Sequence, residues 1–353
     1  MNKAQWDNLL EVIEGRQAAP LPAGFIIDSP WLPGWYGIST LDYYTNDQFW
    51  FDANKKAIET FPEALFLPGF WAEYGMCTEP SAFGAKCRWE EANLPHAEKI
   101  SSDIDVLCTL RKPDVRKDGL LPFVINRLKN TQPKIEEMGH EIKFAVARGP
   151  LNIATFLFGT TELMMAMMEE PEKCHRLIGN ITDFLIDWIE YQMEQFPAIE
   201  GILLLDDIVG FVGDAQCREY VAPYLKKIYG SFDAKVNFLH NDAAGQVSAP
   251  YLHQMGVNLF NFSFNHSIAE MKQWTSSGVT LMGNIPPRDV LKAGSPEAVR
   301  QAVRESVKGL PDRTRIIMSC GGGMPQAVST ENINAFLDEV KLLSGEGKGA
   351  AKK

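Results

Sequence analysis

The chain has 353 residues, 45% of them hydrophobic, and a formal net charge of −11. That length allows one large domain or two ordinary ones, and the acidic balance argues against nucleic acid as the main partner, because phosphate binding needs a basic surface. No apolar run approaches the roughly 20 residues that cross a bilayer, Met1 to Trp6 lack the apolar core of a secretion signal, and the six scattered cysteines read as reduced thiols of a cytoplasmic protein.

Residues 2–16 carry an amphipathic helical pattern, and Phe25-Ile26-Ile27 is a short strand ending at Asp28. Trp31, Trp35 and Tyr36 follow directly. With Phe70-Trp71, Tyr74 and Trp89 they suit either a pocket for a flat, partly apolar ligand or loop packing alone. A helix is expected over 46–61 and a strand over Ala64–Leu67. The section 70–118 has few regular signals and reads as a lid or an inserted hairpin. A helix over 119–138 precedes the strand Ile142–Ala147, which ends in Arg148, an anion contact or a salt-bridge partner. Helices follow at 152–168 and 171–196; Met164, Met165, Met167 and Met168 in the first are expected to pack.

From residue 200 strand and helix alternate: strands 201–205, 235–239, 257–260, 278–282 and 315–318, with helices at 214–229, 244–254, 267–275, 287–292, 296–308 and 329–343. The strands are apolar throughout, as in a sheet buried on both faces. Eight strands, each with a crossover, predict an α/β fold: a single (β/α)8 barrel over 1–344 with an N-terminal helical and irregular extension. A doubly wound sheet is the alternative, but no Gly-x-Gly-x-x-Gly follows the first strand. The tail 345–353 is expected to be disordered.

The strand ends carry the chemistry. Leu205 is followed by Asp206-Asp207, Leu239 by His240-Asn241-Asp242, Phe260 by Asn261, Met282 by Gly283-Asn284, and Ser319 by Cys320 and three glycines. In a parallel barrel these ends share one face. His240 and Asp242, two apart, can point the same way and suit a metal; equally, His240 can bond a loop while Asp242 caps the next helix. Asp206 or Asp207 can act as base, ligand or binder, the other capping the helix that follows. Glu219 opens that helix and could reach the same cavity. Asn284 reads as turn-shaping, and Gly321-Gly322-Gly323 as an anion cradle or a tight turn. His96, His140, His175 and His253 have no partner at ligand spacing and read as surface residues; His266 is a weaker candidate on the active face.

Three stretches resemble the uroporphyrinogen decarboxylase superfamily: Ala147-Arg148-Gly149-Pro150 with its following helix, Met282-Gly283-Asn284-Ile285-Pro286-Pro287, and Ser319 to Pro325 followed by Thr330-Glu331-Asn332-Ile333. The likeness covers most of the chain from about 140 onward and implies a (β/α)8 barrel. One branch decarboxylates uroporphyrinogen, a polycarboxylate, without a cofactor. Its N-terminal Arg-rich segment has no counterpart here, since Asp28 to Tyr36 contain neither Arg nor Lys. The other branch contains methyltransferases that use zinc and a corrinoid protein. Their usual His-x-Cys is His240-x-Asp242 here, and their later cysteine aligns with Gly322, two places from Cys320. Members that demethylate ethers pair an acid and a histidine with twenty residues between, as Glu219 and His240 are.

The resemblance implies a zinc-dependent methyltransferase moving a methyl group between a small methoxylated compound and a corrinoid protein. Zinc is assigned to Glu219, His240 and Cys320, and catalysis to Asp206, Asp207, Asp242 and Asn261. Asp28, Trp31, Trp35, Tyr36, Trp71, Arg148, Asn241 and Asn284 are expected to bind substrate. A homodimer is consistent with the family. A cofactor-independent decarboxylase and a non-catalytic binding barrel are the rivals.

Overall fold

The computed structural model describes residues 1–16 and 21–346; most of the expected tail lies outside them. Eight parallel strands form the frame: β1 (Gly24–Ile26), β2 (Leu65–Leu67), β3 (Phe144–Arg148), β4 (Gly201–Leu205), β5 (Val236–Asn241), β6 (Leu259–Phe262), β7 (Thr280–Ile285) and β8 (Ile316–Cys320). β3 to β8 pair in chain order as one six-stranded sheet, and β1 pairs with β2. A parallel bridge between Ala23 and Met318 joins β8 to β1. No ladder joins β2 to β3 among the described residues. At that seam Asn2 bridges His140, and the Met1 nitrogen donates to the Glu141 carbonyl at 2.8 Å. The fold is a TIM-type (β/α)8 barrel.

Register decides what the barrel interior contains. Arg148 lies beside Leu205, Leu205 beside His240, His240 beside Asn261, Asn261 beside Met282, and Met282 beside Ile317. Side chains in register on parallel strands face alike. Leu205, Met282 and Ile317 belong to the apolar cluster that also holds Leu203, Phe238 and Leu259. Arg148, His240 and Asn261 thus occupy an inward row at the C-terminal end, above an apolar plug. The opposite end is closed by the helix Lys3–Ile13, whose Trp6, Leu9, Val12 and Ile13 join the same cluster. Trp6 stands edge-on to Phe144 at 5.6 Å. An Asn2 capping box with Gln5 starts that helix.

The larger apolar core lies between the strands and the surrounding helices, chiefly Asp47–Thr60, Leu121–Glu137, Pro171–Gln195, Pro296–Ser306 and Thr330–Glu346. Two expected helices differ. The 152–168 helix is two helices, Pro150–Phe158 and Thr160–Glu169, bent by 106°; Gly159 at φ 111° makes the break. After the bend Met167 packs inward, whereas Met165 and Met168 are exposed. The 244–254 helix reduces to a 3-10 turn over Ala249–Tyr251, because Gly245 and Pro250 deny it entropy and a donor. Section 70–118 holds short helices and a two-residue hairpin, Cys87–Arg88 with His96–Ala97. No single helix among the described residues is long and apolar enough to cross a membrane.

Candidate functional site

Three side chains at the C-terminal end of the barrel converge. The ligand atoms of Asp207, His240 and Asp242 all lie within 4.8 Å of one another. Asp207 is two residues beyond Leu205, and Asp242 two beyond His240, so each continues the inward face of its strand. The Asp242 amide donates to Asp207 Oδ1 at 2.7 Å. His240 is buried, and its Nε2 lies 3.2 Å from Asp242 Oδ1.

Asn261 sets the chemistry of that histidine. Its Nδ2 donates to the carbonyls of Met282 at 2.8 Å and Cys320 at 3.3 Å. Its Oδ1 is thereby turned to His240 Nδ1 at 2.7 Å, so Nδ1 carries the proton and Nε2 presents a lone pair. A lone pair facing a carboxylate oxygen at 3.2 Å needs a cation or a further proton between them. Although its side chain is half exposed, desolvation by the surrounding site pushes the Asp242 carboxyl up, with repulsion from Asp207 and against the pull of His240. The glycine turn after β8 fits around this acid. Gly323 donates its amide to Asp242, and a side chain on Gly322, at φ 113°, would collide with the Asp242 carboxylate. The turn therefore fits around the Asp242 carboxyl group.

The cluster opens on a cavity of about 320 Å³. Its other walls are Ile26, Asp28 and Pro30 beyond β1, Met76 and Leu94 from the irregular section, Arg148, Asn152 and Phe156, and Met324 after β8. Arg148 is held at 2.6 Å by Glu73, both side chains nearly buried, and its amide donates to Glu79 Oε1 at 3.2 Å. Burial opposes the Arg148 charge, but Glu73, Asp28 and Glu79 outweigh it and hold the guanidinium protonated. Glu73 and Glu79 had no signal in the sequence, because the section carrying them has no periodic pattern.

A family model for uroporphyrinogen decarboxylase (URO-D) matches residues 36–343. The chain belongs to the uroporphyrinogen decarboxylase family. Curated relatives include the uroporphyrinogen decarboxylases of Pseudomonas savastanoi pv. phaseolicola, 23% identical over 315 residues and covering 85% of each chain, and of Shewanella piezotolerans, 23% identical over 280 residues and covering 76% of this chain and 77% of that one. Among solved structures, a methyltransferase from Methanosarcina mazei superposes with a TM-score of 0.79 at 16% identity, covering 96% of this chain and 98% of the other. That likeness establishes the shared barrel.

Within this URO-D family barrel the remaining expected site residues fall elsewhere. Glu219 does not reach the cluster. Its segment, Cys217–Val221, buries Cys217, Tyr220 and Val221, which leaves Glu219 half exposed with its Oε1 3.2 Å from His175 Nε2. His175, expected to lack an acidic partner, therefore has one. His140, expected at the surface, is buried, which pushes its pKa down to about 4. Cys320 follows an inward serine and so faces the outer core. Its Sγ donates to the Gly322 carbonyl at 3.2 Å, and burial, with the nearby Asp242 charge, pushes the thiol up to about 12. Cys320 is not among the converging ligand atoms.

Asp206 is fully buried on the outer face and accepts the amides of Leu151 at 2.9 Å and Asn152 at 3.1 Å. It caps the helix Pro150–Phe158, after β3, and not the helix that follows it in sequence. Asn241 accepts the Ala243 amide at 2.8 Å, a turn bond, and Asn284 donates to the His266 carbonyl. The aromatic segment packs. Trp31 and Trp35 stack at 4.8 Å, bonded to the Val328 carbonyl and Thr330 Oγ1 at 3.0 Å each. Tyr36 lies under Lys56, and Trp71 sits in the barrel-interior cluster. None of the four lines the cavity, whereas Asp28 and Arg148 do.

Proposed function

We propose that this URO-D family chain is a zinc-dependent methyltransferase that moves a methyl group between a small methoxylated compound and a corrinoid protein. The observation that carries the reading is the Asp207–His240–Asp242 convergence, with Asn261 orienting His240 Nε2 toward it. The donor set fits zinc: one imidazole nitrogen and two carboxylates give three protein ligands and leave a position open. All donors are nitrogen or oxygen, which zinc accepts as readily as thiolate-poor sites allow. Bound there, zinc supplies Lewis acidity toward a substrate oxygen and makes it a better leaving group.

The chain's own residues do the rest. Asn261 fixes the imidazole, Asp207 holds the Asp242 backbone through its other oxygen, and Ile26, Met76, Phe156 and Met324 give the cavity apolar wall for the body of a small donor. The cavity lies at the end of the barrel where such enzymes do chemistry, the side from which a corrinoid on a partner protein would approach.

The decarboxylase reading rests on the family model and the names of relatives, and the cavity's charges oppose it. Asp207 and Asp242 line it against one arginine already paired with Glu73. Among the described residues of the lining, a polycarboxylate would find no arginine or lysine but this paired one. Metal analysis of purified protein, with methyl transfer followed on reduced corrinoid protein, tests the proposal. One zinc per chain and transfer in the wild type, both lost in His240→Ala and Asp207→Ala, support it. Metal-free protein that converts uroporphyrinogen in the presence of a chelator would replace it with the decarboxylase.

A further inference from the structure

We propose that Asp28 is the general acid of this site, its carboxyl proton held against Glu73 and passed to the oxygen that loses its methyl group. The inference rests on the methyltransferase reading above and adds to it a group on the opposite wall.

Position comes first. Asp28 lies two residues beyond Ile26, a member of the barrel-interior cluster, and so continues the inward face of β1. In an eight-strand order β1 lies across the barrel from β5, which carries His240. Both walls nevertheless border the same cavity of about 320 Å³. A donor small enough to fill it touches both.

The proton is needed by the local geometry. Glu73 Oε2 is taken by Arg148 at 2.6 Å, while Glu73 Oε1 is buried with no donor among the described residues. Besides Arg148, Asp28 is within hydrogen-bonding reach of Glu73. Two carboxylates cannot bond one another, but a carboxyl and a carboxylate can. A proton on Asp28 lets the two carboxyl groups bond. The other groups around Asp28 do not remove it. Ser29 Oγ is 3.4 Å from Asp28 Oδ1 and in turn accepts from the Tyr44 hydroxyl at 2.5 Å. Tyr43 and Tyr44 are buried phenols pushed well up in pKa and neutral. Among the described residues Arg148 is the cation acting on Asp28, and it faces Glu73 and Glu79 as well. Burial and the Glu73 charge hold the Asp28 carboxyl well above the usual carboxylate range, with Arg148 opposing.

The step balances. The methyl carbon bonds to the acceptor nucleophile, the reduced cobalt of a corrinoid, which gives up its electron pair and is oxidised by two electrons. The carbon–oxygen bond breaks with its pair going to oxygen. Oxygen takes the Asp28 proton and leaves as a neutral hydroxyl compound. The Asp28 carboxylate regains its proton from solvent.

Two measurements on the full chain test this. Infrared spectra of metal-free protein at about pH 8 are expected to show a protonated-carboxyl band that Asp28→Asn removes and Asp28→Glu restores. Methyl transfer from aryl methyl ethers whose phenols span a wide range of acidity is the second. Asp28→Asn is expected to slow ethers of weakly acidic phenols by about 100-fold or more, and to leave ethers of the most acidic phenols almost unchanged; Asp28→Glu restores the shallow dependence. Uniform slowing across the series, no slowing, or an infrared band that survives Asp28→Asn overturns the role of Asp28. A wild type that transfers methyl from no ether while the band behaves as expected counts instead against the methyltransferase reading and its substrate.

Discussion

At the scale of single residues, Asn261 is the side chain whose removal says most about the site. Among the described residues its side chain bonds the carbonyls of Met282 and Cys320 and the Nδ1 of His240. Asn261→Ala frees the imidazole to rotate and change tautomer without touching a ligand atom. Zinc affinity is expected to fall roughly 10- to 100-fold, read by competition with a chromophoric chelator. Glu79 offers a different measurement. It is 3% exposed, and burial pushes its carboxyl from 4.5 up to about 7, against Arg148. The folded protein therefore holds this proton more tightly than the unfolded chain. Stability from this group is full below about pH 4.5 and is lost as pH rises through about 7. At ~1.4 kcal/mol per tenfold change in proton affinity, the loss is on the order of 3 kcal/mol. Glu79→Gln keeps the acceptor for the Arg148 amide and is expected to flatten the dependence of urea stability on pH over that window; an unchanged slope would place the proton elsewhere.

At the scale of elements, the adjacent acids Asp206 and Asp207 show how one residue of register separates two roles. Asp207 continues the inward face of β4, and Asp206 the outward one. The helix Pro150–Phe158 begins Gly149-Pro150, so its N-cap residue has no side chain to bond the free amides. Asp206 supplies the cap from the next strand. A side chain on Gly149 would run into the Asp206 carboxylate, which accounts for the glycine. Asp206→Ala is expected to cost about 2 kcal/mol of stability and keep zinc, whereas Asp207→Ala loses zinc with a smaller stability change. Denaturant unfolding and zinc stoichiometry on both variants separate the two; zinc loss in Asp206→Ala with the fold intact would reverse the assignment.

At the scale of the whole molecule, the alternation of apolar strands and amphipathic helices made the barrel readable, since parallel strands buried on both faces leave a pattern with few alternatives. His240 and the family resemblance were readable too. What the pattern did not give was parity. Counting in twos from an inward apolar residue (Leu205 to Asp207, Ile26 to Asp28) selects side chains that line the cavity and turns Asp206, Asn241 and Cys320 outward. The inward residues become known only once the register is. Glu219, chosen for its spacing from His240, lies apart from the cluster for a related reason: its helix buries the neighbouring Cys217, Tyr220 and Val221 and leaves Glu219 against His175. Glu73 and Glu79 were invisible because irregular chain carries no period to read.

The proposed zinc site takes oxygen and nitrogen from Asp207, His240 and Asp242, without a thiolate. X-ray absorption at the zinc edge of the zinc-loaded chain tests it most directly. One equivalent of zinc with only nitrogen and oxygen neighbours, at about 2.0–2.2 Å, is the expected result. A sulfur neighbour at about 2.3 Å would bring a cysteine such as Cys320 into the site, and failure to retain zinc at all would contradict the account.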